Sequence, residues 1–179
     1  MAASARARLE KLDYHNIEVA FGDGFDIPPG AGDFDRIIVT AAMEKIPDNL
    51  LARLEPGGIL ILDLFNPDMG RLLDFRGHVV LDKQMHDPVT GHTITKYRSE
   101  QVDLGQQVID VTYVMDEVNG EGALRRTIFP FALRYFYRFE LELLLRYAGF
   151  ELEAVYGSYD LEEFSGDSPK MIAVARQPC

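Results

Sequence analysis

Four groups of residues in this 179-residue chain have types and spacing that suit chemistry. The alternating segment Ile17-Glu18-Val19-Ala20-Phe21 runs straight into Gly22-Asp23-Gly24. Glycines in such a turn let backbone approach a ligand closely. The apolar run Phe34-Asp35-Arg36-Ile37-Ile38-Val39-Thr40 ends on a hydroxyl. Thr40 therefore stands at a strand's carboxyl end, where open α/β sheets bind ligands, unless the next helix start takes its hydroxyl. Asn66-Pro67 closes a third apolar run, where an amide either touches a ligand or opens a turn. Tyr135, Phe136, Tyr137 and Phe139 form an aromatic cluster that either lines a cavity or fills core where a strand meets a helix. His78, His86 and His92 lack metal-ligand spacing such as H-E-x-x-H, so no metal is expected. No Ser/His/Asp or Cys/His set assembles, and no catalytic residue is assigned.

The elements that must position these residues follow from periodicity and turn chemistry. Ser4 to Leu12 reads as a short helix. Residues 17–21, 34–40 and 59–65 read as strands, the last two apolar on both faces. Ile46 to Leu54 has apolar residues at 46, 50, 51 and 54, a helix that Glu55-Pro56-Gly57-Gly58 is expected to stop. From 67 the pattern changes: residues 78–82, 92–102, 107–118 and 124–136 alternate polar and apolar between turn segments, an antiparallel meander. Arg138 to Tyr147 is a helix closed by Ala148-Gly149-Phe150, with Gly149 as a left-handed cap. Leu152–Tyr156 and Met171–Ala175 are final strands around a wet acidic loop, 160–169. The expected organisation is a single domain, 1–179, comprising an α/β segment (1–66), a meander insertion (67–136) and a C-terminal helix with two strands (137–179). Strands apolar on both faces between helices predict a parallel sheet covered on both sides.

Composition narrows the function classes. A formal charge of −11 opposes binding to phosphate backbones, so nucleic acid is not an expected partner. No apolar run reaches the about 20 residues of a membrane span, and no membrane partner is expected. The N-terminus carries no secretory hydrophobic stretch, and the lone Cys179 can form neither an internal disulfide nor a cysteine-based zinc site. A reducing, cytoplasmic compartment is the expectation.

Two stretches resemble different S-adenosylmethionine-dependent methyltransferases. Leu12-Asp13-Tyr14-His15-Asn16-Ile17-Glu18-Val19, Gly22-Asp23-Gly24, the run FDRIIVTAA from Phe34 to Ala42, Ile46-Pro47 and Pro56-Gly57-Gly58 resemble protein-L-isoaspartate O-methyltransferase, over residues 9–62. Asp63-Leu64-Phe65-Asn66-Pro67, Arg134-Tyr135-Phe136, Glu140 to Arg146, Ala148-Gly149-Phe150-Glu151 and Asp167 to Ile172 resemble a group of bacterial class I methyltransferases acting mainly on small molecules, over residues 63–178. The seam falls around Gly58 to Asp63, in a strand both groups share. The resemblance implies a partial, rearranged Rossmann-like methyltransferase sheet with an inserted antiparallel β-meander. It implies S-adenosylmethionine as cofactor, with Asp23 accepting from the adenine amino group and Phe25 or Ile27 packing near the base. Gly22, Asp23, Gly24, Phe25 and Thr40 are then the cofactor-side candidates.

The resembled enzymes open with a strand, an E/D-x-G-x-G-x-G turn, a helix and a second strand ending in a ribose-binding acid. The sequence contains no such turn. Gly22-Asp23-Gly24 either replaces it or remains the third-strand turn. The Pro28-Pro29-Gly30-Ala31-Gly32 stretch that follows leaves no room for the helix a phosphate-type turn opens, which favours the third-strand reading. The expectation is a recombined or truncated methyltransferase chain without activity; the alternative is a methyltransferase acting on a small molecule. With the first strands missing, either the Ile17 strand slides beside Phe34–Thr40 or a second copy exchanges strands into a dimer.

Overall fold

The computed structural model describes residues 2–22, 32–40, 48–74 and 77–179. Two four-stranded sheets carry the fold. The first contains β1 (Phe34–Val39), β2 (Leu54–Phe65), β7 (Glu151–Tyr156) and β8 (Lys170–Arg176), in the order β1-β2-β8-β7. β1 and β2 run parallel, with Val39 opposite Leu62, whereas β8 is antiparallel to both β2 and β7. Side chains alternate across a strand. Ile37 and Val39 of β1, Leu60 and Leu62 of β2, and Met171, Ala173 and Ala175 of β8 accordingly build the buried core. Helix α4 (Arg138–Tyr147) lays Leu141 and Leu145 on this face, and α2 (Asp48–Leu51) adds Leu50 and Leu51. At α4's start the Glu140 carboxylate accepts the Tyr137 N–H at 3.3 Å. At its end Gly149 takes φ 88°, the left-handed cap expected of it.

The second sheet is the meander β3 (Val79–His86), β4 (Thr93–Asp103), β5 (Val108–Val118) and β6 (Leu124–Arg134), each antiparallel to the next. Its turns are set by the residue that opens each one. Asp87 Oδ1 accepts from Val89 N at 2.8 Å, and Asp103 Oδ1 accepts from Gly105 N and Gln106 N at 2.9 Å. Asn119 Oδ1 accepts from Ala123 N at 2.8 Å. Short Asp and Asn side chains stabilise a turn in this way by satisfying backbone donors two to four residues on. Val102, Ile109 and Val111 pack with Leu72 of α3 (Met69–Asp74) and with Tyr135 in a second core.

Several expectations need correcting. Residues 17–21 form no strand, and Phe21 is 88% exposed. Within one chain this segment does not slide beside β1, because alternation supplies strand propensity but no hydrogen-bonding partner. Arg6 instead donates from Nε and Nη2 to the Val19 carbonyl at 3.0 and 2.6 Å. The sheet is not covered on both sides among the described residues: Ile38, between two buried neighbours, is 61% exposed. It is also not wholly parallel, since β8 reverses. The helix expected over 46–54 is described only at 48–51. Glu55-Pro56-Gly57-Gly58 acts as a bulge and not as a stop. The register steps from Phe34↔Leu54 to Arg36↔Ile59, with Gly57 at φ 76° in a conformation that favours glycine. Helix α3 has no counterpart in the sequence reading.

Candidate functional site at the carboxyl ends of the parallel strands

Because β1 and β2 are parallel and Val39 lies opposite Leu62, Thr40 comes level with Asp63 at their carboxyl ends. A cleft of about 230 Å³ opens there, between the two sheets. Thr40, Asp63, Leu64, Phe65 and Lys170 form the wall from the first sheet. Leu133, Arg134, Tyr135 and Phe136, where β6 leads toward α4, form the other. The chain thus places its ligand-sized opening at the edge expected of an open α/β sheet.

The polar centre of the cleft is Asp63. Its side chain is only 7% exposed, and both carboxylate oxygens are occupied. Lys170 Nζ donates to Oδ1 at 2.8 Å, and the Tyr159 hydroxyl donates to Oδ2 at 2.6 Å. The Lys170 ammonium also lies 4.5 Å from the Tyr159 ring centre, so the three groups close on one another. Burial by itself would raise the Asp63 pKa, but the hydrogen bonds from Lys170 and Tyr159 and the Lys170 charge outweigh it and hold the carboxyl below its ordinary value. Lys170 is shifted upward, chiefly by its bond to Asp63 and then by Tyr159, against the opposing effect of burial. Tyr135 is 2% exposed, and burial, followed by the neighbouring Tyr137, pushes its phenol upward. The cleft therefore holds an ionised, internally neutralised ion pair beside a protonated phenol.

The sequence candidates divide sharply. Thr40 lines the cleft. Gly22 is exposed, with nothing among the described residues within 4 Å of the position a side chain would take. Asp23, Gly24 and Phe25, and with them Ile27, lie outside the described residues. Asn66 proves to be a clamp: its amide donates to the carbonyls of Gly166 and Ser168, each at 2.9 Å, tying β2 to the acidic loop. Of the aromatic cluster, Tyr135 and Phe136 face the cleft and core, while Tyr137 is 42% and Phe139 75% exposed. His92 bonds Glu117 at 2.6 Å, and no metal-holding group of His, Cys, Asp or Glu occurs among the described residues. Sequence reasoning missed Asp63, Tyr159 and Lys170. The available signal was Asp63 itself, the one charged residue in the apolar run from Ile59 to Phe65.

The described residues of the cleft do not fit whole S-adenosylmethionine. Their carboxylate is committed to Lys170 and Tyr159, and a volume of about 230 Å³ suits a smaller ligand.

Set beside known proteins, the fold is that of a Rossmann-like methyltransferase. The CcbJ methyltransferase from Streptomyces caelestis superposes with a TM-score of 0.71 at 19% identity, covering 99% of this chain and 75% of that one. A S-adenosylmethionine-dependent methyltransferase from Clostridium acetobutylicum gives 0.70 at 12% identity, covering 99% and 71%. The particular sequence likeness lies elsewhere. Residues 1–76 match the protein-L-isoaspartate(D-aspartate) O-methyltransferase (PCMT) family. The protein-L-isoaspartate O-methyltransferase of a Bradyrhizobium species is 67% identical over 61 residues, 34% of this chain and 28% of that protein. The N-terminal part is thus similar in sequence to one group of methyltransferases, and the whole chain is similar in fold to others. Its matched stretch spans under a third of that curated relative. Among the described residues no helix is long and apolar enough to cross a membrane.

Proposed function

We propose that this chain is a recombined methyltransferase-derived fold that keeps an acceptor-side cleft and does not itself transfer methyl groups. The observation that carries this reading is the state of Asp63, whose two oxygens are taken by Lys170 and Tyr159. Methyl transfer from a sulfonium is an in-line displacement, in which catalysis comes mainly from holding donor and acceptor aligned in a dry site. Thr40, the Asp63–Lys170 pair and the Tyr135 phenol can orient a small polar acceptor by hydrogen bonding, with Phe65 and Phe136 excluding water. Alignment also needs the donor fixed, and the 179 residues contain no glycine-rich turn of the type that holds it. The likeness of residues 1–76 to one methyltransferase group, and of the whole fold to others, supports joining of two sources.

The second reading is a S-adenosylmethionine-dependent methyltransferase acting on a small molecule, with Gly22, Asp23, Gly24 and Phe25 supplying the cofactor side. The placement of Thr40 in a cleft at strand carboxyl ends favours it. Calorimetric titration of the folded chain with S-adenosylhomocysteine separates the two. The expected result is no binding at millimolar ligand from a protein that still melts cooperatively. Micromolar binding would overturn the first reading and install the second.

A further inference from the structure

We propose that the outer face of the meander is a docking surface for a second copy of this chain, packed sheet on sheet. Strand registers define that face without ambiguity. Leu81 lies opposite Tyr97, Tyr97 opposite Val114, and Val114 opposite Ile128, so one apolar row crosses all four strands. The adjacent row is Val79, Ser99, Thr112 and Pro130. Leu81 is 62%, Ile128 57% and Val79 70% exposed. The opposite face is covered at the end nearest α3, where Ile109, Val111 and Val102 pack with Leu72 and Tyr135. A meander with one face on the core ordinarily shows polar residues on the other. This one shows large aliphatic side chains, which mark interaction surfaces when they are contiguous.

Charge points to the occupant. Two copies carrying −11 each repel one another wherever their surfaces carry that charge. From the Thr93–Val118–Leu124 row to the Gln101–Asp110–Ala132 row, the charged residues of the outer face are Asp110, Asp116 and Arg126. The last two cancel: Arg126 Nε and Nη2 donate to the two Asp116 oxygens, both at 2.7 Å. Asp116 is accordingly the buried charged residue of this face, at 8% exposure. The outer face is therefore a nearly neutral region through which like-charged copies can approach.

Size agrees. Four strands at their usual spacing present a sheet about 20 Å by 30 Å, about 600 Å² before side-chain relief, against the about 800 Å² per partner of a standard stable interface. A twofold axis through the Leu81–Ile128 row would set the same rows against each other, with the sheets about 10 Å apart.

The test is sedimentation equilibrium of the full chain beside a Leu81→Glu/Ile128→Glu double variant, with circular dichroism and thermal melts of both. The expected result is a wild-type dimer and a monomeric variant with an unchanged spectrum. Placing carboxylates in the apolar interface should weaken self-association at least about a hundredfold. A wild-type chain that stays monomeric through the micromolar range overturns the proposal. So does a folded double variant that remains dimeric, the outcome expected if residues 17–21 were exchanged across β1. Should the double variant lose its spectrum, Val79→Lys probes the same face through one exposed side chain: loss of the dimer upholds the proposal and its persistence overturns it.

Discussion

The two sheets have four strands each and are stabilised in different ways. In the β1-β2-β8-β7 sheet the central strand β8 is almost wholly inside, with Met171, Ala173 and Ala175 at 0% exposure and Leu60 of the adjoining β2 at 1%. The meander has a smaller buried core, limited to the end nearest α3 and Tyr135. Much of its remaining order comes from cross-strand pairs such as Lys96 with Asp82 at 2.9 Å, Lys96 over the Tyr113 ring at 3.5 Å, and Asp116 with Arg126. One sheet owes its stability to removing apolar surface from water, and the other chiefly to neighbouring strands satisfying one another. The cleft lies where the two meet, so its first wall is rigid by burial and its second by register.

That contrast predicts its own largest test. Leu60→Ala removes a fully buried side chain from the first sheet and should cost about 3 kcal/mol, the usual range for a leucine truncated in a close-packed core. Leu81→Ala, on the exposed face of the meander, should change the stability of the isolated chain by less than about 0.5 kcal/mol. Urea denaturation of both variants at low protein concentration gives the comparison directly. Equal losses would mean that the meander, too, is held by burial, and the distinction between the sheets would fail.

The same distinction explains what was legible beforehand. The meander and α4 could be read from sequence because their signals are local: Asp87, Asp103 and Asn119 open turns, and Gly149 closes a helix, within a few residues of where they act. The Ile17–Phe21 alternation misled because a strand is defined by its partner, and nothing within the segment supplies one. Pro56-Gly57-Gly58 was a correct sign of irregular backbone, but only the long-range pairing of Phe34 with Leu54 turns it into a bulge in place of a helix stop. Helix α3, six residues long, is too short to show a period. The site was the least legible part. Asp63 and Lys170 meet across 107 positions of sequence, brought together because β2 and β8 are antiparallel neighbours.

The Asp63–Lys170 pair should be next in magnitude. Asp63→Ala leaves a partly buried ammonium with its main acceptor gone, and should cost about 2 kcal/mol at neutral pH. Its pH dependence has a definite sign. Asp63 is shifted below 3.8, so its contribution is present above that value and lost as pH falls through the lower folded-state pKa. Lys170 is shifted above 10.5, so its contribution is full below that value and lost as pH rises through the higher one. The gap in denaturation midpoint between wild type and variant should therefore form a plateau from mildly acidic to mildly alkaline pH and close at both ends. A gap independent of pH would mean that packing around Asp63, and not its charge, supports the first wall of the cleft.

The smallest effect should come from the connection between that wall and the loop beneath it. Asn66 stands at the end of β2 and donates to Gly166 and Ser168 carbonyls, while the loop also holds itself through Gly157 N to Glu162 O at 2.8 Å and Ser165 N to Ser168 Oγ at 2.9 Å. Water can reach the carbonyls once the amide is gone, so Asn66→Ala should cost only about 1 kcal/mol overall. The loss should be local. Amide hydrogen exchange is expected to quicken across residues 157–169 while β2 and β8 keep their protection, because the buried sheet opens only with the whole molecule and a loop tied by a few polar contacts opens alone. Unchanged loop protection would show that the Asn66 clamp is redundant with the loop's own bonds. Faster exchange in β8 as well would show that the loop, Lys170 and the sheet edge open as one unit, so that the cleft's first wall is less rigid than the burial of Met171 and Ala173 implies.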